Sequence, residues 1–447
     1  MTNTHKDLHI VILAAGKGTR MKSEISKVMH PLAGLPMIGH VIKTANSLKP
    51  HCITVVTAPA QDDVKDFVAP HKIALQDKQL GTGHALKCAL ESLKSKTGTC
   101  LVLYGDGPLY TKTTLSTFLK NYAKSKNKLG FLGMIAANPT GYGRMILDNN
   151  QSVSAIVEEK DASAAQKKID LCWTGVMCGD VASLRKWVGA IDNKNKAGEY
   201  YLTALPVIAA KNKSATFYDV CPEDESLGAN TRGELARLEQ KIQERLRGTA
   251  MENGATLLDP ATTYFSHDTK IGKDVLIEPN VFFGPDVTIG DHCHIKAFSH
   301  IEGATLKKAT VVGPFARLRP GTMLEEGAKI GNFVELKNTT LGQGSKVNHL
   351  TYVGDSKVGK GSNIGAGTIT CNYDGFDKHK TTIGDGVFVG SNSTLIAPLT
   401  LKDGAYVAAG SVIAKDVSKD ALAMARTRQS EKAGWAKSYR EKKKKKS

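Results

Sequence analysis

From Ile271 to Ile413 the chain advances in steps of six residues, and an aliphatic residue opens almost every step. The steps open at Ile271, Ile277, Phe283, Ile289, Ile295 and Ile301, then at Val312, Leu318, Leu324, Ile330 and Leu336, then at Leu341, Val347, Val353, Val358 and Ile364. After a polar insertion the series resumes at Ile383, Val389, Leu395, Leu401 and Val407. The fifth position is small or β-branched in Val275, Val281, Val287, Cys293, Ser299, Ala316, Thr322, Ala328, Thr351, Ser362 and Ser411. A period of six fits neither the 3.6 of an α-helix nor the two of a strand, and fixed short periods mark a solenoid whose rungs bury one another. The spacing predicts a parallel β-helix in which each hexad forms one flat side and its opening aliphatic points inward. Three sides, about eighteen residues, then close one rung.

The 447 residues are enough for two or three domains. No apolar run approaches the ~18 residues of a membrane span, and Met1 to Asp7 lacks an apolar signal segment. The expectation is a cytoplasmic enzyme without membrane insertion. Eight cysteines show no Cys-x-x-Cys pairing, so they read as reduced core thiols that imply neither zinc nor disulfides. The net charge of +17 suggests anionic partners: phosphorylated small molecules, a membrane surface or nucleic acid. Lys442 to Lys446 supply five of those charges and read as a solvated tail; with no aromatic residue among them, nucleic-acid binding is not expected.

At the other end, the apolar strand His9 to Ala15 runs into Gly16-Lys17-Gly18-Thr19-Arg20-Met21. Glycines after a buried strand let backbone N–H groups approach an anion, and Lys17, Arg20 and Lys27 add charge around it. The arrangement is neither a Walker loop nor Gly-x-Gly-x-x-Gly. Apolar strands over 9–15, 52–57, 100–104 and 130–136 alternate with helical segments, which predicts a doubly wound parallel sheet reaching to about residue 230. Asp106 then stands at a strand's carboxyl end, the rim where open α/β sheets bind ligands. Next, Thr231-Arg232-Gly233-Glu234 is a capping box that should start a helix carrying Leu235, Leu238, Ile242 and Leu246 on one face and ending near Gly248.

The solenoid pattern resembles the left-handed β-helix of hexapeptide-repeat acyltransferases, and the handedness comes from that resemblance. Leu13 to Met21 with Lys27, Gln76, Gln79 to Ala85 and Tyr104-Gly105-Asp106 resemble the signature of sugar-nucleotide pyrophosphorylases. Pro139 to Arg144, Ile156 to Asp161 and Gly198 to Thr203 resemble the sugar-site segments of uridylyltransferases. From Val11 to about Trp435 the chain resembles the bacterial bifunctional family that combines UDP-N-acetylglucosamine pyrophosphorylase with glucosamine-1-phosphate N-acetyltransferase.

The resemblance implies three regions: residues 1–230 as the pyrophosphorylase, 231–250 as a helical linker, and 251–447 as the acetyltransferase with its basic tail. In the first, Arg20 and Lys27 would be catalytic, and Asp106 and Asn230 would hold Mg²⁺. UDP-N-acetylglucosamine would meet Leu13, Ala14, Ala15, Gly16, Lys27, Gln76, Gly81, Thr82, Tyr104, Gly105, Asp106, Gly143, Glu158, Trp173 and Asn230. In the third, His349 would be the general base, and Arg319, Lys337, Tyr352 and Asn363 would bind glucosamine-1-phosphate. Ala366, Asn372, Tyr373, Ser391, Ala409 and Arg426 would line the acetyl-CoA path. UTP and acetyl-CoA are the implied co-substrates, the implied assembly is a homotrimer, and the product would feed peptidoglycan and lipopolysaccharide synthesis.

Independently of the resemblance, Arg319 and Lys337 are second in their hexads and eighteen residues apart, which stacks them one rung apart, roughly 5 Å from backbone to backbone. Two stacked cations repel unless an anion such as a phosphate bridges them. Ser391 and Ala409 repeat the offset with small side chains, leaving room for a long ligand. Three positions depart from the family pattern: Trp173 stands where an asparagine is usual, Ala204 where an aspartate is usual, and Ser26 where a proline precedes Lys27. Trp173 could stack on a sugar ring but cannot reproduce an amide's hydrogen bonds, so weakened or altered sugar binding is expected. Two alternatives stay open from sequence: an acetyltransferase with an impaired uridylyl half, and a non-catalytic nucleic-acid scaffold.

Overall fold

The structure, a computed structural model, describes residues 7–444. The chain divides into two compact units between Arg245 and Leu246.

In the first unit the strands are β1 (Leu8–Leu13), β2 (Cys52–Thr57), β3 (Lys72–Leu75), β4 (Thr99–Tyr104), β5 (Leu129–Ile135), β6 (Gly143–Leu147), β7 (Val153–Val157), β8 (Leu171–Asp180) and β9 (Thr216–Val220). They form one nine-stranded sheet whose main path runs β9-β5-β8-β4-β1-β2-β3, with β6 pairing β8 and β7. β1 is wholly buried between parallel neighbours β2 and β4, which is why it reads as a continuous apolar run.

The sheet is not all parallel. β8 runs antiparallel to both β4 and β5. It follows the β6–β7 hairpin through loop and a single 3₁₀ turn, Gln166–Lys168, without the crossover helix that a parallel return requires. Alternation of apolar runs could not show that reversal.

The helix Arg232–Glu252 starts with the first bond of its capping box, the Glu234 N–H donating to Thr231 Oγ1 at 3.2 Å, while the Glu234 carboxylate reaches one residue further back and accepts from the Asn230 N–H at 2.6 Å. It does not stop at Gly248, because a glycine inside a helix costs only about 1 kcal/mol. Termination falls at Gly254, whose φ of 98° takes the left-handed turn while the Ala255 N–H bonds back to the Ala250 carbonyl at 3.0 Å.

The second unit is a three-sided solenoid of 22 strands from Thr256 to Ala423, all of two or three residues except Lys329–Leu341 and Lys346–Val358, paired in parallel from rung to rung. Its coil therefore begins earlier and ends later than the clean hexads, through less regular rungs. Every opening residue of the series is buried except the half-buried Ile271, and the small fifth residues are buried with them. The fourth position bears the corner: Asp274, Asn280, Asp286, His292, Phe298, Phe315, Phe333, Leu350 and Asn392 all adopt φ between 50 and 62°, and glycines take the same place in later rungs. Three five-residue steps, after Ile301, Leu336 and Val353, shift the rung offset from eighteen to seventeen, as in the pairs Ile295 and Val312 and Val347 and Ile364.

Candidate active sites

The first unit holds a cavity of about 630 Å³ at the carboxyl ends of β1 and β4. It is lined by Leu13, Ala14, Ala15, Gly16, Lys17, Gly18, Arg20, Lys27, Gln76, Gly81, Thr82, Tyr104, Asp106 and Asn230 among others. Gly18 is required for this shape: its φ is 60°, and a Cβ there would sit 2.6 Å from Lys27 Cβ. Lys27 can therefore cross under the loop to the far wall, where its Nζ bonds Asp106 and donates to Asn230 Oδ1 at 3.1 Å. Ser26, before it, is tied by Oγ to Asp63 at 2.8 Å, with the backbone φ of −52° that a proline would also hold. Arg232 donates to the Met21 carbonyl at 3.2 Å and so fastens the end of the same loop.

Asp106 and Asn230 thus aim hard oxygen atoms at one cationic group. Two such donors, with phosphate oxygens completing the shell, fit Mg²⁺, which usually binds through one or two carboxylates plus substrate phosphates. Among the described residues no cluster of three His, Cys, Asp or Glu side chains could hold a metal without such help.

The residues expected at the sugar separate into two groups. Glu158 faces Gly143, with Oε2 3.8 Å from where a Gly143 Cβ would lie. Burial raises the Glu158 carboxyl above its ordinary value, against a hydrogen bond from Thr203 that lowers it. Gly105 lies behind the cavity wall, its N–H on the Leu13 carbonyl at 2.9 Å. Trp173 is not a sugar platform: it is 7% exposed, packs edge-on against Tyr104 and Phe131, and donates Nε1–H to the Val176 carbonyl at 3.0 Å. The β8 bulge between Trp173 and Met177 turns the ring into the core, where its only polar atom is already satisfied. Of its two ring neighbours, Tyr104 lines the cavity.

On the solenoid, Leu318 pairs with Leu336, and the following residues Arg319 and Lys337 stack in one column. Arg319 Nη1 reaches Glu335 Oε1 at 2.9 Å. The polar insertion brings a third cation, Lys378, beside Lys337; it lowers the Lys337 ammonium below its ordinary value, with burial and Arg319 acting in the same direction. Sequence reasoning missed Lys378 because the insertion interrupts the hexads, leaving no register by which to place it. Asp355 faces these cations and is held by Asn338 Nδ2 at 2.7 Å and by Asn372. Tyr352 and Glu335 line a shallow cavity of about 400 Å³ with Phe315, Phe333, Leu350 and Ile369.

His349 is exposed and lies on the next side of the coil, before the corner at Leu350. Register assembles a second column there. Ile330, Val347, Ile364, Val389 and Val407 are paired rung to rung, so the residues two further on, Asn332, His349, Ala366, Ser391 and Ala409, stand in line. Three of the expected acetyl-CoA residues therefore lie directly along from the imidazole. Asn363 belongs to the same side, paired with Lys346 and Phe388. Tyr373 is exposed in the insertion, its hydroxyl on the Gly375 carbonyl, and Arg426 is exposed beyond the last rung. The corner column Phe298, Phe315 and Phe333 stacks at ring separations of 4.9 and 5.1 Å while remaining about half exposed.

Residues 10–155 match the MobA-like NTP transferase domain, and residues 268–303 and 380–415 match the bacterial transferase hexapeptide (six repeats). The chain is 49% identical to the bifunctional protein GlmU of Paramagnetospirillum magneticum, over 97% of this chain and 96% of that one. It is 45% identical to the same-named protein of Zymomonas mobilis, over 99% of both, and 45% identical to that of Acinetobacter baumannii strain AYE, over 95% and 97%. With an NTP transferase domain in one unit, a hexapeptide solenoid in the other, and relatives matched nearly end to end, the chain belongs to the bifunctional GlmU family, which joins uridylyl transfer and acetyl transfer in one polypeptide.

Proposed function

We propose that residues 251–447 acetylate glucosamine-1-phosphate from acetyl-CoA and that residues 1–230, linked through 231–250, then join the product to UTP. The observation that carries the first step is the shared column of His349, Ala366, Ser391 and Ala409 beside the stacked Arg319 and Lys337. Arg319, Lys337 and Lys378 bind the sugar phosphate. The substrate amine attacks the thioester carbonyl, His349 takes its proton, and the coenzyme A thiolate leaves. The small residues beyond His349 leave a path for the long thioester arm, with Asn372, Tyr373 and Arg426 further along it.

In the second step an oxygen of the N-acetylglucosamine-1-phosphate phosphate attacks the α-phosphorus of UTP, and pyrophosphate leaves. Arg20 and Lys27 neutralise charge that grows on the phosphates, Lys27 leaving Asp106 as they arrive. Asp106 and Asn230 would hold Mg²⁺, which when bound screens the phosphates and helps align them. Glu158 and Gly143 face the sugar.

The exposed apolar corner column of Phe298, Phe315, Phe333 and Leu350 supports assembly of copies of this chain, because contiguous exposed apolar residues mark interaction surfaces, and a homotrimer is the form we propose. A cytoplasmic setting accords with both co-substrates; no described helix is long and apolar enough to cross a membrane. The test supplies glucosamine-1-phosphate, acetyl-CoA, UTP and Mg²⁺ together and identifies products. UDP-N-acetylglucosamine with pyrophosphate and free coenzyme A supports the reading. Accumulation of N-acetylglucosamine-1-phosphate alone would confine activity to the acetyl half.

A further inference from the structure

We propose that Asn332 is the positioning residue that sets the tautomer of His349, and thereby decides which imidazole nitrogen is free to take the amine proton. The inference rests on the reading of His349 as general base and adds to it a residue with no reactive group of its own.

The two residues are register partners in the adjacent long strands Lys329–Leu341 and Lys346–Val358. His349 Nδ1 lies 2.6 Å from Asn332 Oδ1. An amide oxygen only accepts, so the bond requires hydrogen on Nδ1 and leaves the lone pair on Nε2. The tautomer of an imidazole is set by the bond its other nitrogen makes.

The backbone on both sides is already fixed. The His349 carbonyl accepts from Thr351 Oγ1 at 2.6 Å and from the Gly367 N–H at 3.3 Å. Each of the two residues precedes a left-handed corner, Phe333 at φ 55° and Leu350 at φ 50°, so their side chains leave the coil in matching directions. What the backbone leaves free is rotation of an exposed ring, and Asn332 restrains it from the rung below. On the other side Ala366 presents only a methyl group, so no side chain at that column position competes for Nε2. A neutral amide orients the ring without adding a second charge beside a base that must accept and release a proton.

The experiment uses the full-length chain. Nitrogen-15 NMR of histidine-labelled protein, with the His349 signals assigned by their loss in His349→Ala, should show the neutral ring protonated at Nδ1. In Asn332→Ala the signals should move toward Nε2–H or a mixture. Acetyl transfer kcat should fall roughly ten- to a hundredfold, the range for losing an orienting partner, while both KM values stay within about twofold. Asn332→Asp, which keeps the acceptor, should restore most of the turnover. Guanidinium unfolding followed by a probe in the solenoid reports whether each variant is folded, and uridylyl transfer on the same samples should not change.

A parent spectrum with His349 protonated at Nε2 would overturn the proposal without recourse to any variant. So would Asn332→Ala with undiminished kcat. If His349→Ala itself keeps full acetyl transfer, the base assignment fails; if it abolishes transfer while Asn332→Ala does not, only the positioning role fails.

Discussion

Lys27 Nζ donates to the side-chain oxygen of Asn230 at 3.1 Å, across 203 positions of sequence. With Asp106 also on that ammonium, the lysine occupies the point where two oxygen donors meet. Lys27→Ala should lower uridylyl turnover about a hundredfold or more, the scale for losing one preorganised group that faces developing charge. Titration calorimetry without nucleotide should find Mg²⁺ bound more tightly by the variant, because the competing cation is gone. Acetyl transfer, measured alongside, should not change.

Gly18→Ala introduces a Cβ 2.6 Å from Lys27 Cβ at a φ of 60°. Neither the contact nor the backbone angle suits an L-residue, a strain of about 1–2 kcal/mol from the left-handed conformation alone. The loop has to shift, so the KM for UTP should rise about tenfold or more; steady-state kinetics at saturating sugar phosphate would measure it.

Leu318→Ala removes a fully buried side chain from a rung whose neighbours are equally closed. The coil relaxes poorly around such a gap, so stability of the solenoid should fall by about 2–5 kcal/mol. Guanidinium unfolding followed by a probe in that unit gives the number.

Asp355 is a pH-dependent contributor. Burial disfavours its charge, but hydrogen bonds from Asn338 and Asn372 and the charges of Lys337 and Lys378 outweigh this and hold the carboxyl below its ordinary value. Depression in the folded state means the stabilisation is present above the unfolded pKa of about 3.9 and is lost as pH falls through the lower folded value. Asp355→Asn should therefore cost about 1–3 kcal/mol near neutrality, and the difference from the parent should shrink steadily below about pH 4. Melting curves of both proteins from pH 3 to 7 would test the sign.

Much of the solenoid was legible because each hexad states its own geometry: Leu318 and Leu336 open their steps, and both point inward. The corner was legible in principle too. Asp, Asn and Gly recur at the fourth position, the residues that tolerate positive φ, and the same position placed Phe315 and Phe333 in an exposed stack. Counting through the five-residue steps would have put Asn332 under His349. By contrast, Trp173 looked like a replacement for a sugar contact, and only the bulge in β8 shows its ring turned into the core. Nothing local distinguishes an inward from an outward tryptophan on a strand flanked by apolar residues on both faces.

From its sequence alone this protein has a coil of six-residue sides, a glycine-rich anion loop after β1 and a capped helix between two units, because each depends on chemistry within a few neighbouring residues. The tertiary structure alone decided that β8 runs backwards, that Lys27 reaches Asp106 and Asn230, and that Lys378 joins Arg319 and Lys337. Those are meetings of distant segments, and which of them meet depends on the path of the whole chain.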